Sequence, residues 1–166
     1  MTPDELRSLQ APFKDQYRSQ PESALITLHA EGRAGEDVTC NVQTGKALVA
    51  AGLHPGAGGS GAEVCAGEML LEALVGCAGV TLRAVATALE IPLRGAVLRA
   101  EGDMDFRGTL AVSKEVPVGF QKIRLHFDLD TDATEEQKAT LIRLTERYCV
   151  VYQTLVKPPV VVTSLG

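Results

Sequence analysis

The sequence contains no tryptophan, and aromatic residues make up only 4% of its 166 positions. With so few aromatic side chains, it offers little for the base stacking on which binding of single-stranded nucleic acid depends. Its formal net charge is −5, and no cluster of lysine and arginine forms a basic stripe. Non-specific binding to nucleic acid needs such a positive surface. The composition therefore argues against a nucleic-acid partner.

Several site signatures are also missing. The four cysteines and three histidines show no Cys-x2-Cys or His-x3-His spacing, so we expect no zinc site. We predict no strand directly before the glycine-rich segment 54–61, and this segment lacks the Gly-Lys-Ser/Thr end of a phosphate-binding loop. The N-terminal residues lack a basic region followed by an apolar stretch, which predicts no secretory signal. We therefore expect a cytoplasmic protein whose cysteines stay reduced.

The longest apolar stretch, residues 69–91, is interrupted by Glu72, Arg83 and Glu90. A membrane-spanning helix needs about 20 consecutive, predominantly apolar residues with few or no charges. We therefore interpret this stretch as the core helix of a globular domain.

Hydrophobic spacing and turn residues predict an α+β domain. A short amphipathic helix precedes Pro21, so we divide the chain into an N-terminal helical extension, residues 1–20, and a main domain, residues 21–166. Thr134 and Gln137 have the spacing of a capping box at the start of the last helix. The predicted elements are a helix at 3–19, a strand at 24–30, a turn at 31–37, a strand at 38–42, a loop at 54–61, a helix at 66–90, strands at 95–106 and 121–130, a helix at 135–149 and a strand at 159–163.

Two of the cysteines lie in the two long helical patterns. Cys77 lies in the apolar run of the central helix, and Cys149 ends the last helix. A thiol among aliphatic side chains is usually a small buried hydrophobe, but two such thiols could meet across a helix interface and act as a redox pair. Cys40 alternates with valines on a strand and Cys65 opens the central helix, and we interpret both as structural thiols.

From Gly58 to the C terminus, the chain resembles the OsmC/Ohr family of thiol peroxidases. The resemblance rests on two segments that each contain a cysteine. One is a glycine-rich stretch that leads into Glu-Met-Leu-Leu-Glu-Ala-Leu-Val-Gly-Cys at residues 68–77. The other is Arg-Tyr-Cys-Val-Val-Tyr-Gln-Thr-Leu at residues 147–155. The family's second cysteine typically precedes a proline, and Val150 stands in that place here.

The resemblance implies an intertwined homodimer in which antiparallel sheets wrap round two central helices. It also implies reduction of organic hydroperoxides, with hydrogen peroxide as an open second substrate, and no metal or bound cofactor. Cys77 would be the peroxidatic thiol and Cys149 the resolving thiol. Their disulfide would be reopened by an external dithiol, such as a lipoylated protein.

Attack on a peroxide requires a thiolate, whereas a free cysteine has a pKa of about 8.5 and is mostly protonated at neutral pH. Burial among leucine and valine side chains would raise that pKa further. A nearby cation is therefore expected, and in the family an arginine held by a glutamate serves. The resemblance points to Arg33, on the predicted N-terminal hairpin, with Arg143 and Arg147 of the last helix as alternatives.

The sequence departs from the family pattern at the position of this glutamate. In the organic-hydroperoxide-resistance branch it precedes the cysteine by ten positions, where this chain has Gly67. Glu68 is our candidate, although at about 100° per residue it would lie about 180° round the helix from Cys77. It would serve if the helix started later or bent. Glu72 would lie about 140° away, and Glu63 in the preceding loop is another candidate.

Two other functions remain open. A non-catalytic module on the same fold would bind a small hydrophobic ligand in an apolar pocket, and the missing family glutamate favours it. A thiol transferase would need one reactive cysteine rather than two. Dependence of activity on Cys149 would separate a peroxidase from a thiol transferase.

Overall fold

The computed structural model describes residues 2–20, 31–34, 39–43 and 48–165. Within them, the α+β class and the central and last helices are confirmed. Among the described residues, the helices are α1 (Pro3–Ser19), α2 (Ala66–Ala88), α3 (Phe106–Thr109), α4 (Glu135–Tyr148) and α5 (Val150–Val156), and a 3₁₀ turn lies at Pro55–Ala57. The strands are β1 (Glu31–Ala34), β2 (Thr39–Gln43), β3 (Leu48–Gly52), β4 (Val64–Cys65), β5 (Gly95–Asp103) and β6 (Lys122–Asp130).

The chain forms two compact units, and the first consists of Met1–Asp15, Ala73–Arg99 and His126–Gly166. Its core lies between α2 and α4. Leu82 and Ala86 are one helical turn apart on α2 and are buried together with Leu141 of α4. Leu141 is 0% exposed, and burying such a side chain contributes about 1.5–3 kcal/mol. Apolar residues of β5 and β6 pack against this cluster, among them Leu98, Phe127 and Leu129.

The start of α4 shows the predicted capping box. The Thr134 hydroxyl accepts a hydrogen bond from the Gln137 N–H at 3.2 Å, and the Gln137 side chain accepts one from the Thr134 N–H at 2.9 Å. Two of the donors that a helix start leaves unpaired are therefore satisfied by side chains. After Tyr148 the backbone turns at Cys149 and resumes as α5, a short helix that the sequence analysis did not predict.

The second unit consists of Gln16–Glu72 and Ala100–Leu125, and it contains a sheet in the order β1-β2-β3-β4. The first two pairings are antiparallel, with Arg33 opposite Asn41. The short β3–β4 pairing is parallel, which departs from the expected antiparallel sheets. Strand β3 was not predicted. The predicted strand at 24–30 lies outside the described residues.

The predicted turn at 31–37 is wrong for its first four residues, which form β1. Their glycine and charged side chains are typical of a turn, but pairing with β2 supplies the hydrogen bonds of a strand. Strand preference depends on such neighbours more than on the residues themselves. The strand predicted at 95–106 is also shorter in the structure, since β5 ends at Asp103 and α3 follows at Phe106.

The predicted C-terminal strand at 159–163 is wrong for the chain as described. These residues adopt no regular secondary structure, and Val160, Val161 and Val162 are 90%, 83% and 85% exposed. Valine-rich sequence favours a strand, but a strand also needs a neighbour to accept and donate its backbone hydrogen bonds.

Helix α2 is long and apolar enough, by length and composition alone, to cross a membrane, with a mean hydropathy of 1.7 over the relevant window. One such helix is weak evidence, because the core helices of globular proteins meet the same criterion. Only 22% of that window is buried, so much of the apolar surface of α2 is uncovered within the chain.

Candidate active site

Cys77 lies in the middle of α2, in the part of the helix that belongs to the first unit. Its side chain is partly exposed, whereas the neighbouring Leu74 and Ala78 are buried. Gly76 precedes it, and a Cβ built at that position would meet no atom within 4 Å. One side of the helix next to the thiol is therefore open within the chain.

Cys149 is the hinge between α4 and α5. Its N–H donates to the Thr145 carbonyl at 2.9 Å, which closes the last turn of α4. Its Sγ accepts from the Tyr152 N–H at 3.4 Å, so the thiol caps the start of α5. The residue is 0% exposed. The cysteine is therefore buried, and it also serves as a helix cap.

Cys77 and Cys149 interact, since each influences the pKa of the other. Four neighbouring groups act to lower the pKa of Cys77: the Val151 N–H, the Cys149 thiol, the Val150 N–H and the Thr81 hydroxyl. The Thr81 hydroxyl also donates to the Cys77 carbonyl at 2.8 Å. The structure thus brings together the two cysteines that the sequence analysis singled out, and it surrounds the outer one with donors.

These contacts move the pKa values of the two thiols in opposite directions. Burial is the largest single influence on Cys77 and acts to raise its pKa, but the four hydrogen bonds together outweigh it and lower the pKa below the ordinary cysteine value. Burial foremost, aided by the neighbouring Cys77 sulfur, raises the pKa of Cys149. The accessible sulfur is therefore the better thiolate, and the buried one stays protonated to higher pH.

Sequence reasoning gave Thr81, Val150 and Val151 no role at the thiol, because it looked for a cation. Among the groups that the structure describes, those that lower the pKa of Cys77 are uncharged donors. Two signals were available in the sequence. Thr81 follows Cys77 by one helical turn, and Val150, unlike proline, has a backbone N–H.

The predicted arginine and glutamate belong to the second unit. Arg33 lies in β1. Glu68 lies in the first turn of α2, which begins at Ala66, and its carboxylate accepts from the Cys65 N–H at 3.4 Å. The later helix start that would bring Glu68 towards Cys77 is therefore not observed. The roles of Arg33 and Glu68 stay predictions.

The alternative cations lie on the outer face of α4. Arg143 and Arg147 are exposed, and the Arg147 guanidinium lies 5.5 Å from the centre of the Tyr148 ring. Neither contributes to the lowered pKa of Cys77.

A separate cavity of about 320 Å³ lies within the second unit. The His54 ring stacks on Phe106 with 5.0 Å between centroids, and its Nδ1 accepts from the Gly56 N–H at 2.9 Å. A Cβ at Gly102 would lie 2.5 Å from the Phe120 ring, so glycine lets that ring form a wall. The cavity is lined by His54, Cys65, Gly67, Glu68, Leu71, Gly102, Met104, Phe106 and Phe120.

The cavity joins apolar walls to a thiol, an imidazole and a carboxylate, which suits a small, largely apolar molecule with a polar end. Cys65, interpreted from sequence as a structural thiol, is partly exposed at this cavity. Over the described parts of the chain, no three His, Cys, Asp or Glu side chains are grouped so as to hold a metal ion.

A family model for OsmC-like proteins matches residues 59–164, well over half of the sequence. The chain belongs to the OsmC-like family. The match includes both cysteines of the pair, and the resemblance stated from the sequence is confirmed. No curated protein matches this OsmC-like chain in sequence.

Solved structures share the fold of this OsmC-like protein at low sequence identity. An OsmC-like protein from Mycoplasma pneumoniae is 16% identical, with a TM-score of 0.68 over 80% of this chain and 89% of that one. An organic hydroperoxide resistance protein OsmC from Legionella pneumophila is 17% identical, with a TM-score of 0.63 over 80% and 91%. An organic hydroperoxide resistance protein from Elizabethkingia anophelis is 17% identical, with a TM-score of 0.63 over 81% of this chain and 90% of that one. At these identities, the likeness establishes the fold.

Proposed function

We propose that this OsmC-like protein is a thiol peroxidase that reduces organic hydroperoxides through Cys77 and Cys149. The observation that carries the proposal is the interaction of a partly exposed cysteine of lowered pKa with a fully buried second thiol. A peroxidatic cysteine needs thiolate character and access to its substrate. A resolving cysteine needs only to be close and to stay reduced until the first has reacted.

The proposed cycle balances in three steps. The Cys77 thiolate attacks one oxygen of the hydroperoxide, the O–O bond breaks, and the alkoxide takes a proton to leave as an alcohol. Cys77 is left as a sulfenic acid. The Cys149 thiol then forms the S–S bond with Cys77, and the sulfenic hydroxyl leaves as water. An external dithiol, such as a lipoylated protein of the cytoplasm, reduces the disulfide by exchange and is itself oxidised to a disulfide.

We also propose that the working form is a homodimer. Val80 on α2 is 74% exposed, and each valine of the C-terminal segment 160–162 is at least 83% exposed. Exposed apolar surface on both elements is unusual for a monomer and suits a second copy of the chain. Arg33 and Glu68 would support the thiolate in that assembly, as the family resemblance implies.

The first test is stoichiometric oxidation of the reduced protein with cumene hydroperoxide, followed by intact mass and peptide mapping. We expect rapid loss of two hydrogens and a disulfide between Cys77 and Cys149. The Cys77→Ser variant should not react, Cys149→Ser should stop at a sulfenic acid after one equivalent, and Cys65→Ser should behave as the wild type. Equal turnover by Cys77→Ser and the wild type would refute the proposal.

The cavity in the second unit favours one alternative function, the binding of a small apolar ligand without catalysis. Its aromatic walls and volume of about 320 Å³ fit such a ligand. Mass spectrometry of the native protein would then detect a co-purified molecule that Phe120→Trp displaces. Thiols that stay reduced in the presence of cumene hydroperoxide would favour this alternative.

A further inference from the structure

The cavity in the second unit owes its shape to positions without side chains. A Cβ at Gly67 would lie 3.3 Å from the Phe120 ring and 3.6 Å from Cys65 Sγ. A Cβ at Gly56 would lie 2.7 Å from the Phe106 ring. Because both positions carry only hydrogen, the two rings and the sulfur line an open space of about 320 Å³. Gly67, the departure from the family pattern, is therefore one of the residues that keep the cavity open.

The charge of the cavity comes from one carboxylate. Among the described residues that line it, Glu68 alone carries a formal charge. The Nδ1 atom of His54 accepts a hydrogen bond from the Gly56 N–H at 2.9 Å, so that nitrogen bears no proton and the ring is neutral. The Glu68 carboxylate accepts from the Cys65 N–H at 3.4 Å, which uses one of about four acceptor sites. The carboxylate can therefore bind a further donor or a cation.

The apolar and charged parts of the cavity differ in their access to solvent. Met104, Phe106 and Phe120 are half-buried, whereas Glu68 is exposed. An apolar group bound against the rings would leave water, and a cation beside Glu68 would stay hydrated, which avoids the cost of burying a charge. The faces of aromatic rings also attract cations. At about 30 Å³ per water-sized group, the cavity has room for about ten non-hydrogen atoms.

We propose that this cavity binds a small amphiphilic cation, namely an arylalkyl amine of about ten non-hydrogen atoms. Its ammonium group pairs with the Glu68 carboxylate, and its ring packs against Phe106 and Phe120. A neutral molecule of the same shape gains the apolar contacts alone, and an anion is repelled. The cavity belongs to the second unit, whereas Cys77 and Cys149 belong to the first. The inference therefore does not rest on the proposed peroxidase cycle.

Cys65 provides the readout, because it lines the cavity and is partly exposed. The full-length reduced protein is alkylated with iodoacetamide at increasing concentrations of phenethylamine, and the rate at each cysteine is followed by peptide mass spectrometry. We expect phenethylamine to slow alkylation of Cys65 in a saturable way and to leave the rate at Cys77 unchanged. Cys77 also reports any loss of reagent to the amine, since such a loss would slow both thiols.

Two further probes of similar shape test the charge. 2-Phenylethanol replaces the ammonium group by a hydroxyl, and phenylacetate replaces it by a carboxylate. An exposed ion pair strengthens binding by up to about fivefold. 2-Phenylethanol should therefore need about fivefold higher concentrations than phenethylamine for the same protection of Cys65, and phenylacetate should need still higher ones. Equal protection by the amine and the alcohol would overturn the cationic ligand class, and no protection by any probe would overturn the site.

Variants identify the residues that recognise the ligand. Glu68→Gln removes the charge, keeps an acceptor for the Cys65 N–H and should abolish the difference between phenethylamine and 2-phenylethanol. Glu72→Gln changes an exposed carboxylate one turn later on α2 and, as the matched control, should keep that difference. Gly67→Leu should fill the cavity and remove the protection by both probes. Because Glu68 is exposed, Glu68→Gln tests the proposal even where Gly67→Leu fails to fold, and a Glu68→Gln protein that still prefers the amine would overturn it.

Discussion

Replacing Thr81 by valine removes a hydroxyl that helps to lower the pKa of the Cys77 thiol. The Thr81 hydroxyl donates to the Cys77 carbonyl at 2.8 Å and also helps to lower the pKa of the Cys77 thiol, so its single proton is shared. A hydrogen bond to a charged group contributes about 1.5–3 kcal/mol. Because this one is shared and the thiol is partly exposed, we expect about 1 kcal/mol, a factor of roughly five in thiolate population.

The sign follows from the direction of the shift. Hydrogen bonds lower the pKa of Cys77, so the thiolate exists at lower pH than in an ordinary cysteine. Thr81→Val should raise that pKa and slow oxidation by cumene hydroperoxide about fivefold at pH values below it. The two rates should converge at pH values above the ordinary cysteine pKa, where both proteins are thiolates. Stopped-flow oxidation across a pH series measures this.

Thr87→Val is a matched control. The Thr87 hydroxyl donates to the Arg83 carbonyl at 2.9 Å, four residues back on the same helix, as the Thr81 hydroxyl does to Cys77. Any general effect of removing such a bond from α2 should appear in both variants. Equal profiles for Thr81→Val and Thr87→Val would refute the assignment of Thr81 to the thiolate.

Three further predictions concern the fold. Leu141→Ala empties a fully buried position and should lower the free energy of unfolding by about 2–5 kcal/mol in urea denaturation; a change near zero would contradict the core assignment. Thr134→Ala removes the capping box and should lower the free energy of unfolding by about 1 kcal/mol, whereas Thr134→Asp should keep most of the wild-type stability. Gly102→Ala places a Cβ 2.5 Å from the Phe120 ring, so the ring must shift and thermal unfolding should occur at lower temperature; an unchanged unfolding midpoint would contradict this.

Much of the helical structure could be predicted from the sequence. The apolar spacing of α2 and the capping box of α4 are local signals, because a helix satisfies its hydrogen bonds within one segment. The strands depend on partners elsewhere in the chain. Residues 31–34 have turn-like composition but form β1 because β2 lies beside them. The valines at 160–162 have strand composition but lack a neighbouring strand in the chain as described.

The two cysteines could be singled out from sequence, because their apolar surroundings and positions in two helices match a known family pattern. The sequence by itself also determined the α+β class and the departure from the family at Gly67 and Val150. What only the tertiary structure decided is how the thiolate is stabilised. Backbone N–H groups carry no residue identity, so their direction depends on where α4 stops and α5 begins, and that hinge brings Cys149 and its neighbouring amides against Cys77.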